Sequence, residues 1–227
     1  MNEQTKESQY QFLLHQEKQG LEQLGLMSSQ CWRDDPRRLL FVLARYKFVA
    51  KMFSGMKRVM EVGCADAFGT RVVRQEVAEV VATDFDPVFI ERNQKQPQSR
   101  WPITFRVHDM IKSPLAEGFD GAYAVDVLEH ISAADEDQFI GNIAASLSLQ
   151  GVCLIGSPSL QSQLYASPPS KAGHVNCKDA QGMRVTMSRH FYNVFIFSMN
   201  DEVVHTGFYP LAHYLWALCC HRKTLCE

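Results

Sequence analysis

The chain has little of what marks a membrane protein or a nucleic-acid-binding protein. No apolar run approaches the roughly 20 residues that a membrane-spanning helix needs, and the polar, glutamine-rich stretch 1–20 does not resemble a secretory leader. The net charge is only −2, since 23 basic side chains stand against 25 acidic ones, whereas phosphate recognition usually shows a basic excess. These absences predict a cytoplasmic protein with no membrane span and no nucleic-acid partner.

The cysteines show no pattern of a metal site or of a disulfide framework. There are seven, an odd number, and no two of them are spaced as C-x-x-C. Several lie in apolar segments, so reduced thiols with a structural role are expected. The chain also has no internal repeat and no proline- or serine-rich linker, and its 227 residues are enough for one domain with one sizeable core.

What the sequence does contain is a strand-to-helix turn built from small residues. The apolar pair Val59-Met60 leads into Glu61, a loop of small residues extends to Gly69, and a helical pattern covers 71–80. Such a turn lets a nucleotide-like ligand lie against bare backbone. Gly63 and Gly69 can also adopt φ angles that other residues avoid. The turn therefore predicts a cofactor site.

A dinucleotide-binding turn is the obvious rival, and the spacing disfavours it. A G-x-G-x-x-G pattern counted from Gly63 puts its second glycine at Ala65 and its third at Phe68. The third glycine permits a close approach of helix and strand, which the ring of Phe68 would obstruct. An NAD-dependent oxidoreductase is therefore disfavoured.

Three further apolar segments end at acidic residues, as the first one does. Asp84 lies 21 residues after Gly63, about where the ribose-binding carboxylate of a nucleotide-binding fold belongs. The alternation of strands and helices is typical of an α/β protein. The three segments are 80–83 with Asp84, 103–107 with Asp109 and 119–125 with Asp126. A predicted helix over 133–149 and a predicted strand over 152–158 follow them.

These motifs together resemble the class I S-adenosylmethionine-dependent methyltransferases. The first motif of that family is an acidic residue followed by glycines at alternate positions, and here it reads Glu61, Gly63, Ala65 and Ala67. The string 126–131, Asp-Val-Leu-Glu-His-Ile, is similar to the signature of the ubiquinone-pathway O-methyltransferases. The resemblance implies an α/β, doubly wound Rossmann-like sheet of about seven strands, mostly parallel with an antiparallel last strand and with helices on both faces.

The resemblance also implies the cofactor, S-adenosyl-L-methionine, and the residues that hold it. The carboxylate of Asp84 would accept hydrogen bonds from both ribose hydroxyls, and Asp109 with Met110 corresponds to the adenine-contacting pair of the family. The expected cofactor-binding residues are Glu61, Gly63, Cys64, Ala65, Gly69, Asp84, Phe85, Asp109, Met110 and Asp126.

The whole chain, 1–227, is expected to be one methyltransferase domain. The helix signal Asp34-Asp35-Pro36 starts an amphipathic helix that should pack across the sheet edge. In the family such helices contribute to a lid over the acceptor pocket, which Trp32 and Tyr46 would line unless they are core aromatics. The segments are an N-terminal helical extension or lid (1–55), the cofactor-binding core (56–158), an acceptor-side insertion (159–190) and C-terminal strands (191–227).

Methyl transfer from a sulfonium requires alignment, and also a base when the acceptor is a hydroxyl. His174 follows Gly173 in the insertion that should cover the pocket, so it is the candidate catalytic base. Asp126, Glu129 and His130 form a cluster that binds a divalent metal in some methyltransferases, together with a further histidine. Those relatives have glutamate at the first position, where this chain has the shorter Asp126. No metal ligand is therefore assigned, and Glu129 is instead expected to cap a helix.

The expected function is transfer of a methyl group to a small-molecule acceptor, with a hydroxyl oxygen favoured. N-methylation and methylation of a sugar or cell-envelope precursor are the alternatives, and a non-catalytic S-adenosylmethionine-binding protein would show the same cofactor site. No Asn-Pro-Pro-Tyr or Asp-Pro-Pro-Tyr tetrapeptide follows the fourth strand, which argues against amino-group methylation of nucleic acid. The expected partner is a small molecule, and a homodimer is compatible with the sequence.

Overall fold

The computed structural model describes residues 4–18, 20–96 and 100–224. Cys226 lies outside these ranges, and the other six cysteines are free thiols. No helix within the described ranges is both long and apolar enough to cross a lipid bilayer.

An eight-stranded mixed sheet forms the centre of the molecule. Its strands are β1 Arg58–Val62, β2 Glu79–Asp84, β3 Thr104–Val107, β4 Phe119–Val125, β5 Leu147–Pro158, β6 Phe191–Asn200, β7 Val203–His205 and β8 Tyr214–Arg222. Their order is β3-β2-β1-β4-β5-β8-β6-β7. Strands β1 to β5 are parallel, whereas β8 pairs antiparallel with both β5 and β6. The predicted Rossmann-like fold is confirmed, with one additional strand because β7 pairs with the end of β6.

Helices cover both faces of the sheet and enclose two hydrophobic cores. The helices are α1 Gln11–Glu17, α2 Leu26–Asp34, α3 Arg37–Met52, α4 Thr70–Arg74, α5 Pro87–Lys95, α6 Glu136–Ser146, α7 Pro168–Gly173 and α8 Ala180–Ser188. One core contains buried residues of α3, α4 and α5, and the other contains buried residues of α6 and α8. The division into four functional segments stays a prediction.

The sequence predicts that helix α3 packs across the edge of the sheet. In the structure α3 instead lies on a face of the sheet. The ring of Tyr46 meets that of Tyr123 on β4 with centroids 6.2 Å apart, and Phe48 lies 5.2 Å from Trp216 on β8. The large rings of the central strands thus provide the surface that the apolar stripe of α3 buries. Tyr46 is a buried core residue, while Trp32 on α2 is 59% exposed.

Helix α4 is much shorter than the 71–80 helix that the apolar spacing predicts. Val80 and Val81 belong to β2, where they pair with Val59 and Met60 of β1. A run of β-branched residues beside an existing strand favours extended pairing over helical periodicity. The helix therefore ends at Arg74.

The turn between β1 and α4 is left-handed at three alternate residues. The φ angles are 75° at Gly63, 45° at Ala65 and 53° at Ala67. The two alanines thus adopt the backbone that the family motif reserves for glycine. Gly69 differs from expectation, because its φ of −79° is ordinary; a Cβ there would instead lie 2.2 Å from the ring of Tyr46.

The carboxylate of Glu61 joins the end of β1 to two helices. It is 1% exposed, and its two oxygens accept hydrogen bonds from the hydroxyls of Tyr46 on α3 at 2.8 Å and Thr70 on α4 at 2.6 Å. Burial raises the pKa of Glu61 to about 7, although these hydroxyls counteract the rise. Glu61 therefore holds both helices against the turn that it begins.

Replacing Ala65 with glycine should stabilise the protein or leave its stability unchanged. A left-handed backbone costs an L-residue about 1–2 kcal/mol, while glycine loses about 0.5–1 kcal/mol more than alanine in conformational entropy. The control is Ala145→Gly in α6, which should destabilise by about 1 kcal/mol. Urea denaturation measures both variants, and an equal loss of stability in the two would contradict the role assigned to the turn.

Replacing Glu61 with glutamine should flatten the pH dependence of stability. The pKa rises from 4.5 to about 7 on folding, so the stability contributed by this group is complete below the lower value and is lost as the pH rises through the upper one. The difference corresponds to on the order of 3 kcal/mol. Denaturation curves across this pH window should show a smaller decrease for Glu61→Gln than for the wild type, and parallel decreases would show that Glu61 does not titrate there.

Candidate active site

The candidate site lies where the order of the parallel strands reverses. Strands β1 and β4 are neighbours in the sheet, and their carboxyl ends lie side by side. Strands β2 and β3 extend the sheet on the β1 side, and β5 extends it on the β4 side. Ligands of open α/β sheets bind in the crevice at such a reversal. Gly63 follows β1 and Asp126 follows β4, so the two motifs flank one crevice. A Cβ built on Gly63 would lie 2.5 Å from Cγ2 of Val127, which shows how closely the two loops approach each other.

Asp84, the last residue of β2, fixes the turn after β1. One carboxylate oxygen accepts a hydrogen bond from the backbone N–H of Ala65 at 2.9 Å, and the other accepts from the N–H of Asp86 at 2.9 Å. Each oxygen retains a further lone pair for a ligand hydroxyl. The neighbouring ring of Phe85 is 73% exposed, so its face is free to lie against a flat ligand ring.

Three of the expected cofactor residues support the turn from inside the protein. Glu61 is occupied by the hydroxyls of α3 and α4, and Gly69 packs against Tyr46. The thiol of Cys64 is 2% exposed, and its burial, followed by the nearby Glu61 carboxylate, raises its pKa well above the usual value. Contact of these three residues with a cofactor stays a prediction.

Asp109 and Met110 follow β3 at the same edge of the sheet. Asp109 accepts a hydrogen bond from the N–H of Ile111 at 3.1 Å and pairs with Lys112 at 3.2 Å. Met110 is 3% exposed, and its carbonyl accepts a hydrogen bond from the amide of Asn142 at 2.8 Å. Contact of these two residues with an adenine ring stays a prediction.

Asp126 is paired with an arginine that the motif analysis missed. Its φ is 58°, and its Oδ2 lies 2.5 Å from Nη1 of Arg45 on α3. The guanidinium lies 4.0 Å above the ring of Tyr214. Burial opposes its charge, but Asp126 and then Tyr214 raise the pKa of Arg45 above its usual value. The sequence feature that points to this ion pair is the position of Arg45 within the apolar stripe of α3.

Unpaired polar atoms surround this ion pair. Among the described residues, no hydrogen-bond partner is found for Nε of Arg45, Oδ1 of Asp126 or the hydroxyl of Tyr214, and all three atoms are buried. Buried polar atoms without a partner are rare in folded proteins and call for an explanation. Here they offer donors and acceptors to a ligand that enters the crevice.

Glu129, His130 and His174 form a Glu-His-His cluster beside Asp126. One ligand atom from each lies within 4.8 Å of those of the other two, and the two imidazole centroids are 5.1 Å apart. Glu129 is fully buried, and neither of its carboxylate oxygens has a hydrogen-bond partner in the described part of the chain. Burial and the neighbouring Asp126 hold the pKa of Glu129 well above its usual value.

Hydrogen bonds orient both histidines of the cluster. Nδ1 of His130 donates to the carbonyl of Gly173 at 2.9 Å, and Nδ1 of His174 donates to the side-chain carbonyl of Gln163 at 2.9 Å. In the neutral rings this leaves each Nε2 with a lone pair. Burial, and then the adjacent His130, lowers the pKa of His174, which favours the neutral ring. Each histidine can therefore accept a proton or bind a cation.

In the structure His174 lies at the candidate site, and the acidic residues there have partners that differ from the predicted ones. The sequence grouped Asp126 with Glu129 and His130, but Asp126 is bound to Arg45 and the third partner is His174. Glu129 lies in the short 3-10 turn Leu128–His130 and points inward. A carboxylate and two oriented imidazoles resemble a metal site in which second partners fix the tautomers.

A family model for the methyltransferase domain matches residues 60–155. Magnesium-protoporphyrin O-methyltransferase from Rhodobacter capsulatus is 33% identical over 92 residues, which are 40% of this chain and 39% of that protein. The chain thus aligns with about two fifths of the length of this curated relative.

Solved structures share the fold at low sequence identity. The N-methyltransferase NodS from Bradyrhizobium japonicum, in complex with S-adenosyl-L-homocysteine, has a TM-score of 0.59 at 16% identity, covering 85% of this chain and 91% of that one. A TehB-like S-adenosylmethionine-dependent methyltransferase from Corynebacterium glutamicum has a TM-score of 0.63 at 16% identity, covering 93% and 100%. Residues 60–155 of this chain therefore match the methyltransferase domain family, and the chain shares the fold of these methyltransferases.

Proposed function

We propose that this chain transfers a methyl group from S-adenosylmethionine to a hydroxyl oxygen of a small molecule. The observation that carries the proposal is the Glu-His-His cluster, because it places a free carboxylate and two imidazoles beside the turn that follows β1. An alcohol or phenol must lose its proton during methylation, and these groups can assist that loss.

The residues around the crevice fit the parts of the cofactor. The left-handed turn leaves its backbone uncovered by side chains larger than a methyl group at Gly63, Ala65 and Ala67, and Asp84 accepts the ribose hydroxyls. The amino-acid end of S-adenosylmethionine carries an ammonium and a carboxylate. The unpaired Oδ1 of Asp126 and Nε of Arg45 are complementary to these two charges.

The same fit supports binding of a divalent cation by the Glu-His-His cluster. Among the residues that the structure describes, neither oxygen of Glu129 has a hydrogen-bond partner, and both histidines already donate through Nδ1. One carboxylate and two imidazoles suit manganese, iron, cobalt or zinc better than magnesium or calcium. When bound, such a cation orients the acceptor oxygen and lowers the pKa of its hydroxyl group.

S-adenosylmethionine supplies a methyl group on positively charged sulfur, so the chain itself contributes alignment and proton removal. Without a cation, Nε2 of His174 would accept the hydroxyl proton, since its Nδ1 is already held by Gln163. The two mechanisms use the same side chain and differ in their response to a chelator.

Oxygen is the favoured acceptor atom for two reasons outside the cluster. The string 126–131 is similar to the signature of the ubiquinone-pathway O-methyltransferases, and the Rhodobacter relative is named for O-methyl transfer. We extend the proposal to that O-methyltransferase subgroup. N-methylation, methylation of a sugar or cell-envelope precursor, and cofactor binding without catalysis are the other outcomes of the test.

The test measures thermal stabilisation by S-adenosylmethionine and then release of S-adenosylhomocysteine with pooled hydroxylated metabolites. Pooled amines and sugar nucleotides form the comparison arms. Turnover with the hydroxylated pool supports the proposal, whereas turnover with amines alone would assign an N-methyltransferase. Stabilisation without turnover in any pool would leave a binding protein.

Replacing Asp84 with alanine should weaken cofactor binding by about 2–4 kcal/mol, because two hydroxyls lose a charged acceptor in a partly enclosed site. Asp84→Asn retains one acceptor oxygen and should lose less. The control is Asp86→Asn, which removes a neighbouring charge that caps α5. Calorimetric titration measures all three variants, and a loss below about 0.5 kcal/mol for Asp84→Ala would place the cofactor elsewhere.

Glu129→Gln and His174→Ala should each lower turnover by roughly 10²- to 10⁴-fold, with cofactor affinity close to that of the wild type. If a cation is used, a chelator should abolish wild-type turnover and manganese should restore it. If His174 acts as a base, turnover should resist the chelator. The control is Glu91→Gln on the exposed side of α5. Turnover that survives both the chelator and His174→Ala would eliminate both mechanisms.

A further inference from the structure

A second buried carboxylate, that of Glu136, lies just outside the candidate site. Glu136 begins α6, and its side chain is only 6% exposed. Its Oε2 accepts hydrogen bonds from Nζ of Lys178 at 2.6 Å and from the amide of Asn176 at 2.8 Å. Its Oε1 accepts from Arg189 at 2.9 Å and from the hydroxyl of Thr186 at 3.2 Å. All four lone-pair directions of this carboxylate are therefore used.

These partners belong to the segment that carries His174 and to the helix that follows it. The segment is anchored to the site at two backbone points, since the carbonyl of Gly173 accepts from His130 and the N–H of Asn176 donates to the carbonyl of Glu129 at 3.0 Å. The backbone carbonyl of Lys178 also accepts from the N–H of Leu160 at 2.8 Å, and the side-chain bonds to Glu136 supply a further anchor. His174 lies between these anchors along the chain.

The charges make the Glu136 anchor strong. Lys178 is only 15% exposed, so without Glu136 its ammonium would be nearly buried with only the amide oxygen of Asn176 at 3.1 Å beside it. An enclosed cation that loses its counter-charge moves towards water, because its desolvation is no longer compensated. Such a movement would pull the segment on which His174 lies.

We propose that Glu136 is a positioning residue that keeps His174 within the Glu-His-His cluster. The inference rests on the proposed function, because it assigns a purpose to an anchor beside that cluster. Glu136 itself touches neither cofactor nor acceptor. It acts through Asn176 and Lys178, which flank the end of the segment that reaches the site.

The test compares Glu136→Gln with Asp137→Asn in the full chain. The first change removes the charge that holds Lys178. The second removes the adjacent carboxylate of Asp137 on the same helix. This carboxylate pairs with Arg189 at 3.3 Å and with His190 at 3.0 Å, and not with Lys178. Both lose an ion pair of Arg189, so the contrast isolates the bonds to the His174 segment.

The main readout is manganese binding, titrated by calorimetry in the presence of S-adenosylhomocysteine. Glu136→Gln should bind Mn²⁺ at least ~10-fold more weakly than the wild type, as expected when a residue that supports a metal ligand is lost, while S-adenosylhomocysteine affinity stays unchanged. Asp137→Asn should match the wild type in both affinities. Wild-type Mn²⁺ affinity in Glu136→Gln would overturn the inference.

A second variant covers the case in which Glu136→Gln does not fold. Lys178→Met removes the cation on the segment but leaves Glu136 its bonds to α8. This variant should show the same weakening of Mn²⁺ binding. Mn²⁺ affinity equal to that of the wild type would likewise overturn the inference.

A wild type that binds no Mn²⁺ would refute the cation mechanism, and the positioning role would then be decided by hydrogen–deuterium exchange at the imidazole C2 of His174. Exchange there should be faster in Glu136→Gln than in Asp137→Asn, with His108, which is held by the carbonyl of Ser113, unchanged in both. Equal exchange of His174 in the two variants would show that Glu136 does not position it.

Discussion

One carbonyl oxygen, that of Thr83, fixes the loop on which the rest of the site depends. It accepts hydrogen bonds from the N–H groups of Gly63 at 2.8 Å and Cys64 at 2.9 Å, so the chain leaving β1 bends over the end of β2. The carboxylate of Asp84 then captures the N–H of Ala65. The backbone that makes these bonds is left-handed at Gly63 and Ala65, and again at Ala67, a conformation that is unfavourable for alanine.

Two acids lie on the opposite side of the crevice, the partly exposed Asp126 and the buried Glu129. Asp126 and Glu129 follow β4 within one short turn, and Arg45 is the cation that contacts Asp126. Within the described ranges, Glu129 has no cation in contact and no hydrogen-bond partner for its carboxylate oxygens, so its position is unfavourable for folding alone. Groups with strongly shifted pKa values in a crevice are typical of functional sites. The cost of burying Glu129 is understandable if a cation or an acceptor group completes its interactions.

Much of this arrangement could be predicted from the sequence, because the first four strands each end near an acid that a short motif marks. The Rossmann-like fold, the strand-to-helix turn after β1 and the placement of His174 in the insertion follow from such local patterns. Arg45 and Tyr214 could not be found in this way, since they lie 81 and 88 residues from Asp126 along the chain and meet it only through packing on the sheet.

Other differences arise where local signals compete. The spacing of apolar residues predicts a helix that reaches into residues which in fact pair as strand β2. Glycine is needed at position 69 because the ring of Tyr46 lies close to it, and not because of its φ angle. The insertion carries no periodicity from which the contact of His174 with Gln163 could be derived. The sequence therefore predicts which residues line the candidate site, while packing determines the partners of those residues.

The most direct measurement is a crystal structure of the protein with S-adenosylhomocysteine and manganese, with data collected at the manganese absorption edge. The account predicts the ribose hydroxyls within hydrogen-bond distance of Asp84 and an anomalous peak between Glu129, His130 and His174. A cofactor bound away from the turn after β1 would contradict the account at its centre. A correctly bound cofactor without the anomalous peak would contradict the cation mechanism alone.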